Sequence, residues 1–198
     1  MKTFLTNFDL KLIAILTMTL DHVAVFFNPT SYFVLRAIGR ISFPIFLFLL
    51  VEGFYHTHNR VHYFLRLLFF SFFCEVIYDF CFHNSLFYPF NQNIFFTLTI
   101  CFLLLSVFSL LSNRILSLQL DMISKYIIFI SLVLLIICLF IIFSITFSFS
   151  YPVISILWSS IFYFFHDKKI FLFLSFIVIT LFFSTSLQLF SVFAILFL

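Results

Sequence analysis

Tyr126-Ile127-Ile128-Phe129-Ile130-Ser131-Leu132-Val133-Leu134-Leu135-Ile136-Ile137-Cys138-Leu139-Phe140-Ile141-Ile142-Phe143 is apolar at almost every position. A strand of a transmembrane barrel alternates apolar and polar residues, because its two faces meet lipid and lumen. No such alternation exists here, so the stretch reads as a helix that presents hydrocarbon on every side. The solvent that tolerates such a helix is the bilayer core, where spanning takes about 20 mostly apolar residues.

The rest of the chain repeats the pattern. Of 198 residues, 65% are hydrophobic, 24% aromatic and 9% charged, with 38 Phe, 2 Gly and 4 Pro. A soluble domain carries roughly 25% charged residues, so no water-facing skin can be assembled from this composition. Apolar runs fall at Leu10–Phe27, Tyr32–Tyr55, Tyr63–Phe82, Ile94–Leu111, Tyr126–Phe147, Pro152–Phe165, Ile170–Phe183 and Leu187–Leu198. The expected fold is all-α, a polytopic transmembrane bundle of about eight helices, in a range of about seven to nine. It is expected to form a single integral membrane domain over 1–198, with a polar core in 1–98 and apolar scaffold helices in 99–198. The first run contains Asp21-His22 and no small-residue cleavage site, so it reads as a retained helix rather than a signal peptide. Pro44, inside the second run, predicts a kink.

The lipid bilayer is the partner that this composition dictates. A net charge of +3 gives nucleic acid no support. The four cysteines, Cys74, Cys81, Cys101 and Cys138, stand in apolar runs without CxxC spacing, which reads as buried, inert packing. His56 and His58 are spaced i,i+2, a poor pair for a helical metal site, so no metal is expected.

Cations in the connections set the orientation. Lys2 and Lys11 flank the first run, Arg60 and Arg66 the second-to-third connection, Arg114 and Lys125 the fourth-to-fifth, and Lys168 and Lys169 the sixth-to-seventh. All fall on one side under this segmentation, which predicts a cytoplasmic N-terminus.

Apart from Lys11 at the very start of the first run, ionisable residues within the runs are Asp21, His22, Arg36, Arg40, Glu52, Arg66, Glu75 and Asp79, all in the first three. Charge at bilayer depth normally faces a bundle interior or a watered cavity. At 1.5 Å per residue, His22 lies about 8 Å from the outer end of its run, Arg36 and Arg40 about 6 and about 12 Å, and Glu75 and Asp79 about 10 and about 5 Å. Arg36 and Arg40 share a helix face, as do Glu75 and Asp79, whereas Asp21 and His22 diverge by about 100°. Two readings follow. Either these charges pair to hold the helices in register, or His22 is a general base in a hydrated recess with the arginines binding an anionic group.

Certain motifs resemble those of the TraX family of bacterial membrane proteins. They are Leu20-Asp21-His22, then Gly39-Arg40-Ile41-Ser42-Phe43-Pro44-Ile45-Phe46, then Glu52-Gly53-Phe54 with His56-Thr57 and Asn59-Arg60. Tyr63, Leu65-Arg66-Leu67, Tyr78-Asp79 and Asn93-Ile94-Phe95-Phe96-Thr97-Leu98 continue the similarity. The resemblance implies a membrane acyltransferase, since the family is linked to acetylation of conjugative pilin and is similar to heparan glucosaminide N-acetyltransferases. It implies acetyl-CoA as acyl donor and a pilin or other exported acceptor. His22, Asp21 and Arg40 become the implied catalytic residues. Arg36, Arg40, Glu52, Arg60, Arg66, Glu75, Asp79 and Asn93 become implied substrate- or cofactor-binding residues. The sequence departs from the family at Tyr151-Pro152-Val153, which replaces a glycine-bearing segment. It also ends at Leu198 without the family's last Tyr-Pro-x-His helix, so a shortened C-terminus is expected. The alternatives are a non-enzymatic pilus or surface-protein assembly factor and a small transporter.

Overall fold

The computed structural model describes residues 5–27 and 33–198. Lys2, Asn28-Pro29 and the start of the second run at Tyr32 lie outside the described residues. Eight α-helices follow in order, with no strand among the described residues. They are α1 (Asn7–Phe27), α2 (Phe33–Gly39), α3 (Ser42–His56), α4 (Arg60–His83), α5 (Ile94–Leu116), α6 (Met122–Thr146), α7 (Pro152–Phe164) and α8 (Lys169–Phe183). A 3-10 helix, Gln188–Leu196, comes last.

The polytopic helical fold is as expected, but two runs are built differently. The second run is two helices, not one kinked helix. In a continuous helix the Pro44 ring would collide with the Arg40 carbonyl and leave it without its donor. The chain therefore turns at Arg40-Ile41 and restarts, which places Pro44 in the first turn of α3, where a missing N–H is harmless. The exposed carbonyls at the break are satisfied locally. Arg40 N donates to the Arg36 and Ala37 carbonyls at 3.2 and 3.3 Å, and Ile41 N to that of Ile38 at 3.1 Å. Ser42 Oγ donates to the Gly39 carbonyl at 2.7 Å. The last run, Leu187–Leu198, forms the 3-10 helix and not an α-helical span.

Polar caps set the other boundaries. Thr6 and Asp9 close the start of α1 reciprocally, with Thr6 N donating to Asp9 Oδ2 at 2.8 Å and Asp9 N to Thr6 Oγ1 at 3.3 Å. Asn59 Oδ1 accepts from His62 N at 2.9 Å, which starts α4 at Arg60 rather than at Tyr63. Asp121 caps α6 through Ser124 N at 2.9 Å, and that bond holds its carboxyl below the usual carboxylate range. α5 continues past Leu111 to Leu116, with Ser112 Oγ turned back onto the Phe108 carbonyl.

By length and composition, Asn7–Phe27, Phe33–His56, Ile94–Leu116 and Met122–Thr146 can each cross a bilayer. α4 is as long but carries Arg66, Glu75 and Asp79. At 1.5 Å per residue, α7 and α8 reach about 20 and about 22 Å, short of a ~30 Å hydrocarbon core.

Two compact units divide the chain, Met1–Gly53 with Trp158–Leu198, and Phe54–Leu157. In the first, Leu10 and Ala14 of α1 pack with Ile45 and Ala194. There Trp158 is fully buried, 5.9 Å from the Phe43 ring and 4.9 Å from that of Phe176. In the second, α5 is the most deeply buried helix, with Phe102 set between Phe54 at 5.3 Å and Tyr63 at 4.9 Å. Cys101 alone among the cysteines is buried. Cys81 and Cys138 are exposed, because they fall on helix faces that no other helix covers, so packing inertness is corrected for these two.

Candidate functional site

In the first unit, α1 and α2 meet at Asp21. Arg40 Nη2 donates to both Asp21 carboxylate oxygens, at 3.0 and 3.2 Å, and Arg36 Nε stands 3.7 Å from Oδ1. A buried glycine makes this approach possible. A Cβ on Gly39 would overlap Asp21 Cβ and lie 3.0 Å from its Cγ and 3.1 Å from its Cα. The Arg36 Nε is itself buried and makes no hydrogen bond.

His22 follows Asp21 but leaves the helix on its exposed side, as the roughly 100° step between neighbours requires. Its Nδ1 lies 3.0 Å from the Met18 carbonyl. A carbonyl only accepts, so in this contact Nδ1 is the donor.

Glu52 belongs to a different group. Its Oε1 lies 2.7 Å from Nε2 of His166, in the turn between α7 and α8, and His166 Nδ1 lies 3.1 Å from Asp167 Oδ1. His166 lies just outside the apolar run Pro152–Phe165, and nothing in its neighbourhood marks it. The contact spans most of the chain, so no local periodicity reports it, and the one available signal was a carboxylate in an apolar run that needed a partner.

The second unit holds Glu75, Asp79 and Asn93. Glu75 Oε2 accepts from Asn93 N at 2.9 Å and from Asn93 Nδ2 at 2.6 Å. Asn93 Nδ2 also donates to the Ser71 carbonyl at 2.8 Å, while its Oδ1 caps α5 by accepting from Phe95 N at 2.8 Å. Asp79 Oδ2 accepts from Tyr88 N at 2.6 Å. These acids bind amides and not guanidinium groups. Neither makes an ion pair among the described residues. Arg60 and Arg66 stand at the other end of α4. Arg60 donates to Ser109 Oγ at 2.8 Å and lies 4.1 Å from the Phe54 ring centroid, and Arg66 lies 5.2 Å from that of Tyr63.

The expected residues thus form separate groups. Asp21, Arg36 and Arg40 meet in one unit, Glu75, Asp79 and Asn93 in the other, and Glu52 joins His166. The first arrangement joins two helices and keeps guanidinium donors beside a carboxylate, with the His22 ring one residue away on the exposed side of α1.

No solved structure matches the chain. A stretch of 75 residues is 44% identical to a protein of Dichelobacter nodosus described as a probable fimbrial assembly protein, FimC of serogroup H1. The stretch covers 36% of this chain and 31% of that relative, so the chain spans under a third of its length. The family described as TraX protein matches residues 7–197, from the first turn of α1 to the end of the 3-10 helix. On that match, which takes in both polar groups and the apolar second half alike, the chain belongs to the TraX protein family.

Proposed function

We propose that this protein is an inner-membrane acyltransferase that modifies an exported acceptor during assembly of a surface appendage, with acetyl-CoA as donor. Family membership supports the setting, and so does a relative described as a probable fimbrial assembly protein. The observation that carries the chemistry is the exposed His22 ring, which donates from Nδ1 to the Met18 carbonyl and stands one residue from the Asp21, Arg36 and Arg40 group.

In this reading His22 Nε2 takes the proton from an acceptor amine or hydroxyl as it attacks the thioester carbonyl carbon. A bond forms from the acceptor to that carbon, the carbon–sulfur bond breaks, and the proton passes to the leaving thiolate. Arg36 retains guanidinium donors for the oxyanion, because its pairing with Asp21 is a 3.7 Å contact without a hydrogen bond. Asp21 and Arg40 are positioning residues that hold α2 against α1.

The test is transfer of labelled acetyl from acetyl-CoA by the full chain in membranes. His22→Ala should reduce transfer by about 10²- to 10⁴-fold, while the protein remains inserted. Undiminished transfer in that variant removes the mechanism. A non-enzymatic assembly factor is the second reading, favoured by the way Asp21, Glu75 and Asn93 all serve to join helices. Under it, purified protein binds no acetyl-CoA.

A further inference from the structure

The turn that closes α4 onto α5 carries a charge imbalance that the site above does not use. Glu75 and Asp79 lie one helical turn apart with 8% and 0% of their surface exposed. Neither makes an ion pair with Lys or Arg among the described residues, His83 being the basic group that acts on Glu75, and their hydrogen bonds come from Asn93 and the Tyr88 amide. Ionised carboxylates in such a place strongly favour any cation that can reach them.

The same turn contains three buried polar atoms with no hydrogen-bond partner, Asp79 Oδ1, His83 Nε2 and Ser85 Oγ. The backbone folds back over this helix end. Asn84 takes a left-handed φ of 52° and directs its N–H at the Asp79 carbonyl. Ser85 N points at the same carbonyl from 3.4 Å. The chain then returns over the helix end. Tyr88 N reaches Asp79 Oδ2, and the Tyr88 ring stacks on His83 with centroids 4.0 Å apart and planes at 19°. The Tyr78 ring stands 6.0 Å from His83.

We propose that this turn is a binding site for a primary ammonium group. A carboxylate oxygen, the lone pair of a neutral imidazole and a hydroxyl oxygen are three acceptors, and an alkylammonium offers three N–H donors with one positive charge. Other occupants fit less well. Water brings two donors and no charge, so the carboxylates stay uncompensated. A His83 imidazolium would bury an Nε2 proton with no acceptor. A metal ion lacks its cage, since no three His, Cys, Asp or Glu side chains stand together to hold one among the described residues. A quaternary ammonium has no N–H at all. The pocket goes beyond the acyl-transfer reading, and it stands or falls without acetyl-CoA.

The test is equilibrium binding of labelled methylammonium to the full chain in phosphatidylcholine nanodiscs, whose lipid carries no primary amine, with empty nanodiscs as the blank. Saturable binding is expected. Tetramethylammonium should compete at least about tenfold less well than unlabelled methylammonium, because it cannot donate. Asp79→Asn, which keeps an acceptor for Tyr88 N, should weaken binding by about tenfold or more, and Ser85→Ala by several-fold. Competition by a short peptide with a free amino terminus, or by phosphoethanolamine, identifies which carrier of the group fits, and competition by either supports the site. Three results overturn it: no saturable binding by monodisperse wild-type protein, unchanged binding in Asp79→Asn, or equal competition by tetramethylammonium. If Asp79→Asn does not fold, Ser85→Ala decides, and unchanged affinity there counts against the site. Because the assay contains no acyl donor, its failure is distinct from failure of the His22 mechanism.

Discussion

Gly39 ends α2 directly against Asp21, and a methyl group there would overlap the Asp21 side chain and press on its backbone. Backbone and Cβ cannot yield as the tip of a flexible side chain does, so α1 and α2 must separate. Gly39→Ala should destabilise the protein by about 1–3 kcal/mol, read as a lower midpoint of thermal unfolding in detergent. An unchanged midpoint would mean that the two helices pack more loosely than the structure has them. At this scale the sequence was partly legible. Asp21, Arg36 and Arg40 were marked because charge in an apolar run demands a partner, and they do meet. The divergence of His22 from Asp21 followed from helix geometry alone. His166 was not legible, because its bond to Glu52 depends on how α7 returns to α3, and the sequence between them holds no record of that path. His83 drew no notice in the sequence, whereas the left-handed turn at Asn84 folds the chain back over the helix end that carries it.

Helix boundaries followed the caps more closely than the apolar runs. Asn93 shows why a cap matters here, since the same side chain starts α5, satisfies Glu75 and ties to the Ser71 carbonyl of α4. Asn93→Ala removes the cap, which costs about 0.5–2 kcal/mol, and leaves the buried Glu75 carboxylate short of a donor. A summed loss at or above the upper end of that range is expected in chemical unfolding, with faster amide exchange at Phe95 and Phe96. A loss confined to the cap alone would mean that Glu75 recovers a partner elsewhere. Hydropathy located α5 and α6 well, because long uniform apolar stretches have few other solutions in lipid. It misjudged the second run, where the steric demand of one proline outweighs the continuity of apolar side chains. It misjudged the last run too, which is apolar enough for an α-helix yet winds as a 3-10 helix; nothing in its composition explains the choice.

For the molecule as a whole, loop cations argue for a cytoplasmic N-terminus, and the element order gives that argument fixed places to test. Alkaline phosphatase folds actively only outside the inner membrane. Fused after Lys169 it should be inactive, and fused after Phe149, between α6 and α7, it should be active. The reverse pattern would invert the chain. Length, composition and helical class were readable because lipid leaves a chain few choices. The division into two units was not, since the breaks at Gly53-Phe54 and Leu157-Trp158 fall inside continuous helices, where no change of composition marks them. The interruption at Arg40-Ile41 has a further electrical consequence. Peptide dipoles that would have run unbroken from Phe33 to His56 are cut in two, so the partial negative end of α2 comes to rest within the span rather than at its surface. Arg36, in the last turn of α2, lies beside that end. The dipole of α2 therefore favours its positive charge alongside Asp21, and replacing Asp21 with Asn would weaken its hold without cancelling it.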